Sequence, residues 1–119
     1  MQRVSPPDGI TPAEFFTRWV PVQVATDEQR RRRLGDTRAT LEFELTGDGG
    51  GFYSLSIQRG EVRGFEGRAE QADLRVRLDV PTWRQLNSGE LSAPEAALRR
   101  RVHLRGDLLL ALKMHVILG

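Results

Sequence analysis

The chain has 119 residues, no cysteine, 18 basic and 16 acidic side chains, and a formal net charge of +2. That length suits one domain, 1–119, able to bury roughly two thirds of its unfolded surface. The missing thiols exclude disulfides and thiolate metal sites, and so small a charge excess names no anionic partner by itself.

Residues 1–10, with Pro6, Pro7 and Gly9, read as an irregular lead-in without the charged and apolar regions of a signal peptide. Thr11-Pro12-Ala13-Glu14 is a capping box with proline at the first helical position, so a helix should begin there. Phe15 and Trp19, and likewise Phe16 and Val20, are four apart and share a side, and Pro21 should stop the helix. Such an aromatic load serves core packing or forms a lid over a cavity. Thr26-Asp27-Glu28-Gln29 repeats the capping signature before a second, exposed helix that ends at Gly35. Its arginines, Arg30 to Arg33, complement the negative end of the helix dipole, with nucleic-acid or membrane contact as the alternative use.

From Ala39 to Val80 the period changes to two. Leu41, Phe43 and Leu45 oppose Glu42 and Glu44, and Tyr53, Leu55 and Ile57 oppose Ser54, Ser56 and Gln58. The run from Asp48 to Gly51 supplies the hairpin connection between them. Arg59-Gly60 turns the chain again, and Gly64 suggests a bulge where Val62 and Phe65 break alternation. In ADLRVRLDV, Leu74, Val76, Leu78 and Val80 point inward, while Asp73, Arg75, Arg77 and Asp79 form an outward row that can pair with Glu42 and Glu44 on a solvated face.

Pro81 opens a short helix with Trp83, Leu86 and Leu91 facing inward, and Asn87-Ser88-Gly89 ends it. Ser92-Ala93-Pro94-Glu95 starts another that runs into Arg99, Arg100 and Arg101. Val102 and Leu104 then alternate with His103 and Arg105 in a last strand, and Asp107 should cap a final helix. From Leu108 to Leu118 only Lys113 and His115 are polar. Eleven residues cannot cross a bilayer, which takes about 20. A helix apolar all round must therefore meet the core on one side and a ligand, a second subunit or a lipid surface on another. This order of elements implies an α+β architecture, a mainly antiparallel sheet with helices gathered on one face.

The sequence carries no HExxH, no GxSxG and no phosphate loop, so no catalytic residue, metal ligand or cofactor site is assigned. The apolar inventory exceeds what a thin two-layer domain needs and points to a lipid cavity. Its candidate lining comprises Phe15 and Trp19, the strand residues Phe43, Tyr53, Leu55, Leu74, Val76, Leu78 and Leu104, Trp83 and Leu86 of the short helix, and Leu108, Leu109 and Leu112 of the last.

From Ala39 to Leu118 these segments, in order, resemble the sterol carrier protein 2 (SCP-2) family. FYSLSIQRGEV follows a glycine-rich turn, EQADLRVRLDV begins a strand at Ala72-Asp73, PTWRQLNSGELSAPEAAL gives two helices around Ser-Gly, and LRGDLLLALKMHVIL is similar to the family's closing segment. The resemblance implies a five-stranded sheet layered with helices around an apolar tunnel. Such a tunnel would take fatty acyl chains, fatty acyl-CoA, sterols or isoprenoid-like lipids, with no chemistry of its own. Arg100 and Arg101 stand where members often carry Gly-Lys, and Ile117-Leu118-Gly119 is not the peroxisomal tripeptide of eukaryotic members.

The expectation is a cytoplasmic lipid-binding or lipid-transfer protein, a monomer or weak dimer. Arg99 to Arg101 would meet anionic membranes transiently. The rivals are an accessory domain presenting an apolar substrate to a partner enzyme, a dimerisation module, and a nucleic-acid-binding basic domain. The last is not expected, because aromatics interleaved with the arginines are lacking.

Overall fold

The computed structural model describes residues 5–118; Met1 to Val4 of the expected lead-in, and Gly119 of the terminal tripeptide, lie outside the described residues. The elements are α1 (residues 12–25), α2 (Glu28–Leu34), β1 (Ala39–Thr46), β2 (Gly51–Gln58), β3 (Glu61–Glu66), β4 (Leu74–Asp79), α3 (Val80–Ser88), α4 (Ala93–Leu98), β5 (Val102–Gly106) and α5 (Leu108–Leu118). The strands form one sheet in the order β3-β2-β1-β4-β5. All neighbours are antiparallel except β1 and β4, which run parallel at the centre.

Two tight hairpins build the first three strands. At the second, Arg59 and Gly60 both take positive φ, 53° and 75°, the backbone of a turn whose twist matches the strands it joins. The chain must then cross from the β3 edge over β2 and β1 to lay down β4. The period of two puts Leu41 between Leu55 and Leu74, and Phe43 between Tyr53 and Val76, on the face that the helices cover. Phe16, Leu34, Leu41, Leu55, Ile57 and Leu74 are fully buried there, each contributing about 1.5–3 kcal/mol of transfer free energy.

The opposite face is less solvated than its charges suggest. Glu42, expected in water, is 3% exposed, because the crossover of residues 67–72 lies over it. Its carboxylate accepts from the Ala69 N–H at 3.0 Å, meets Arg68 Nε at 3.4 Å and pairs with Arg75. Ser54 donates to the Gly67 carbonyl at 2.9 Å. Burial alone would raise the Glu42 pKa, but the bonds from Arg75, Ala69 and Arg68 together hold it below the usual carboxylate range. One buried acid thus fastens the connection that a parallel strand pair requires.

Pro21 does not end the first helix. Thr11 caps Pro12–Glu14, the turn Phe15–Trp19 widens to a π-helix, and Val20–Ala25 continues as α-helix. The Val20 N–H donates to the Phe15 carbonyl; the next donor in that register is Pro21, which has none, so the π turn stops there. The Phe16 carbonyl instead lies against Gly64 of β3, where an added Cβ would overlap it. Gly64 is therefore a close-approach glycine and not the expected bulge: β2 and β3 pair without interruption from Tyr53–Glu66 to Gln58–Glu61.

Candidate functional site

Between the sheet's apolar face and the helices lies a cavity of about 400 Å³, within the size range of small-molecule sites. The wide turn of α1 directs Phe15, Phe16 and Trp19 toward it. Phe15 stacks on Trp19 at 5.4 Å and meets Trp83 edge-on at 5.4 Å. Phe16 lies 4.8 Å from Phe43 and 5.1 Å from Tyr53. These rings fix one wall by mutual packing. The floor is Leu41, Phe43, Leu55, Leu74, Val76 and Leu78, continued by Val102 and Leu104 of β5. Trp83, Leu86 and Leu91 close one side, and Ala111 and Met114 of α5 another.

Three capping interactions set these walls. Asp79 caps α3, accepting from the Thr82 N–H at 2.8 Å, and the fully buried Thr82 hydroxyl receives Arg101 Nε at 3.1 Å. Bonds from the Thr82 hydroxyl and N–H, aided by the Arg101 charge, hold the Asp79 carboxyl below its usual range against the opposing effect of burial. Asp107 caps α5 through the Leu110 N–H at 3.1 Å, as its sequence position suggests. Ser92 caps α4 through the Glu95 N–H at 3.2 Å.

The structure brings ten of the fourteen candidate residues to the cavity: Phe15, Trp19, Phe43, Leu55, Leu74, Val76, Leu78, Trp83, Leu86 and Leu104. Tyr53 instead stacks behind Phe16 in the core, where burial and the nearby Glu66 charge raise its pKa. Leu108, Leu109 and Leu112 do not line the cavity and are 59%, 79% and 61% exposed. The reason is phase: the first turn of α5 leaves β5 with Leu110 against the sheet, so the buried stripe is Leu110, Ala111 and Met114. A helix apolar on every side gives no moment from which to read that phase.

Arg30 was expected on an exposed helix. It is 2% exposed and lines the cavity. The cap of α2 is Asp27, one residue later than the Thr26 signature, accepting from Gln29 and Arg30 N–H at 3.0 and 3.2 Å. That start turns Arg30 inward beside Leu34, while Arg31, Arg32 and Arg33 remain outside. The three later arginines also separate: Arg99 pairs with Glu95 at 3.0 Å, Arg101 holds Thr82, and Arg100 is exposed. Among the described residues no three histidine, aspartate or glutamate side chains gather as a metal site. No described helix is long and apolar enough to cross a membrane. A second hollow, between the lead-in and α1, is open and rimmed by Asp8, Glu14 and Arg18.

Comparison with known proteins bears on this geometry. The chain is 26% identical over 84 residues to hydroxysteroid dehydrogenase-like protein 2 of Bos taurus; the match takes in 70% of this chain and only 20% of that protein. Its fold matches the sec-alkylsulfatase Pisa1 from a Pseudomonas species with a TM-score of 0.70 at 24% identity, covering 92% of this chain and 16% of the other. It matches palmitated SCP2L2 from Aedes aegypti with a TM-score of 0.70 at 14% identity, covering 92% and 96%. Residues 22–119 match the model of the SCP-2 sterol transfer family. The chain therefore belongs to the SCP-2 sterol transfer family, whose membership implies lipid binding or transfer.

Proposed function

We propose that this chain binds a single-chain apolar lipid in the cavity under its sheet and acts by carriage, without chemistry of its own. The observation that carries the reading is the cavity of about 400 Å³ walled by apolar side chains from the sheet and from α1, α3 and α5. Burial supplies the affinity: each methylene removed from water contributes about 0.8 kcal/mol, so a chain of some ten carbons offers on the order of 8 kcal/mol before ordering costs. Broad tolerance of chain type follows, in keeping with the palmitated state of the mosquito relative. Exposed Leu98, Leu108, Leu109 and Leu112, with Arg100 and Arg105 exposed on neighbouring segments, suit pick-up from an anionic membrane, where each basic residue contributes about 1 kcal/mol.

A second reading is favoured by the lengths of the relatives. The chain matches a fifth or less of the hydroxysteroid dehydrogenase-like protein and of the alkylsulfatase, which suits a module that presents an apolar substrate to a partner enzyme. Both readings need a filled cavity. Native mass spectrometry of freshly purified protein, with solvent extraction and titration of a fluorescent fatty acid, tests them. Micromolar or tighter binding is expected. A folded protein that takes no acyl, isoprenoid or sterol probe sinks both, and stable co-purification with an enzyme selects the second.

A further inference from the structure

We infer that β5 is a docking edge for an extended segment of a partner protein, one that alternates acidic and apolar residues and adds to the sheet as a further strand. The inference concerns a different surface from the cavity and holds whether the cavity is filled or empty. β5 ends the sheet, and its residues are largely exposed. Among the described residues, none of the backbone bonds made outside helices and strand pairs involves residues 102–106. The N–H and C=O groups on the outer side of this strand therefore face solvent, a ready template for another strand.

The side chains at this edge set the chemistry of the strand that fits. In the register of β4 and β5, Arg105 stands opposite Arg75 and His103 opposite Arg77, all on the face that carries Glu42. Like charges set directly opposite weaken a sheet, and the nearby carboxylates are mostly committed elsewhere. Glu42 takes Arg75. Asp73 accepts from the Thr40 N–H at 2.7 Å, Asp79 from that of Thr82 and Asp107 from that of Leu110. Glu44 lies beside Arg77 in the strand register. Yet Arg77, His103 and Arg105 are exposed and have no ion-pair partner among the described residues. On the cavity side of the same edge Leu104 is exposed, with Leu98 and Leu108 on the helices that pack beside β5. Side chains of a strand alternate between faces, so a segment laid along β5 with carboxylates on one side and aliphatics on the other meets both patches at once. A second copy of this chain would bring His103 and Arg105 against their own counterparts. An anionic membrane could use Arg105 but offers the edge no ladder of donors and acceptors.

Fluorescence polarisation of short capped peptides, with amide chemical shifts of the whole chain, tests this at neutral pH. A peptide of alternating valine and glutamate should bind about tenfold or more tighter than its valine–lysine counterpart, the effect of a few exposed ion pairs changing sign, and should shift the amides of residues 102–106. The same glutamate peptide with N-methylated backbone amides keeps its charge but loses the ladder donors, and should bind about tenfold or more weakly. Arg77→Glu combined with Arg105→Glu, both at exposed positions, should reverse the preference toward the lysine peptide in protein shown by circular dichroism to be folded. Equal binding of the two charge forms, undiminished binding of the methylated peptide, or shifts away from β5 each overturn the inference. So does the absence of peptide binding, which would leave the cations as guards of a bare edge. Phosphatidylserine vesicles held through Arg77 and Arg105 in that case assign the face to a lipid surface instead. Should the double variant fail to fold, the three wild-type peptide titrations decide. None of these outcomes touches the cavity reading, which the lipid-probe titration decides.

Discussion

Glu42 and Glu44 stand two apart on β1 and point to the same face of the sheet, yet replacing each by alanine should have unlike consequences. Glu44 is half-buried beside Phe52 and Arg77 in the strand register, and its removal should stay within about 0.5 kcal/mol of wild type. Glu42→Ala loses the bond to the one-third-exposed Arg75, about 1.5 kcal/mol for a charge-assisted bond, and the Ala69 amide bond, about 1 kcal/mol. The Arg68 contact, 63% exposed at its basic end, adds about 0.5 kcal/mol after solvent screening. The loss comes to about 3 kcal/mol, and with about 2.1 cal/mol/K of unfolding entropy per residue it lowers Tm by about 12 °C. Urea and thermal denaturation followed by circular dichroism measure both variants. A probe titration should show unchanged affinity in the folded mutant, because Glu42 faces away from the cavity. Acid provides a second arm. The folded Glu42 pKa is depressed from its ordinary 4.5, so its contribution is complete above that value and disappears as pH falls through the lower folded value. Glu42→Gln should flatten that acid limb. Equal stability of the two alanine variants at neutral pH would refute the idea that the crossover is fastened by the buried acid.

Arg100 has φ of 59° at the end of α4, where the Arg101 and Arg100 N–H groups donate back to Ala96 and Ala97; Arg100→Gly should raise stability by about 1 kcal/mol in urea titrations, since glycine adopts that conformation without penalty. Gly64→Ala should destabilise by about 2 kcal/mol or more, and its near-ultraviolet dichroism should change as α1 is pushed from β3. In α5, Leu112→Glu should leave probe affinity and fold intact, whereas Ala111→Glu, which places a carboxylate in the cavity, should abolish probe binding in protein shown by far-ultraviolet dichroism to be folded.

Strand residues were legible because a period of two leaves only two choices of face, and a single buried row such as Leu74, Val76 and Leu78 decides between them. The caps Thr11, Ser92 and Asp107 were legible for a similar reason: a side-chain oxygen next to free N–H groups acts locally. What escaped depended on partners far away in sequence. Glu42 looks solvated until residues 67–72 are laid across it. Arg30 looks like one of four equivalent arginines until the cap at Asp27 fixes which of them turns inward. The π turn was hidden because its cause is shared between Pro21 and a glycine in β3. Leu108, Leu109 and Leu112 were misplaced since α5 offers no polar stripe against which to set its rotation. Aromatic and aliphatic residues at Phe15, Trp19, Trp83 and Leu86 could be picked out as a surplus, but only the fold brings them around one space.

The cavity also joins parts of the chain that the sheet does not. Its lining comes from residues 15–30 and 102–115 as well as from the elements between them, so cargo held inside would touch the segments that flank β1–α4 on both sides. A molecule that binds only the assembled form shifts the unfolding equilibrium by mass action, by about 2.7 kcal/mol at a hundredfold excess over its Kd. Cargo would therefore act as a removable cross-link between early and late parts of the chain. Loading would be felt first as slower local opening of α1 and α5, and unloading would loosen the same helices.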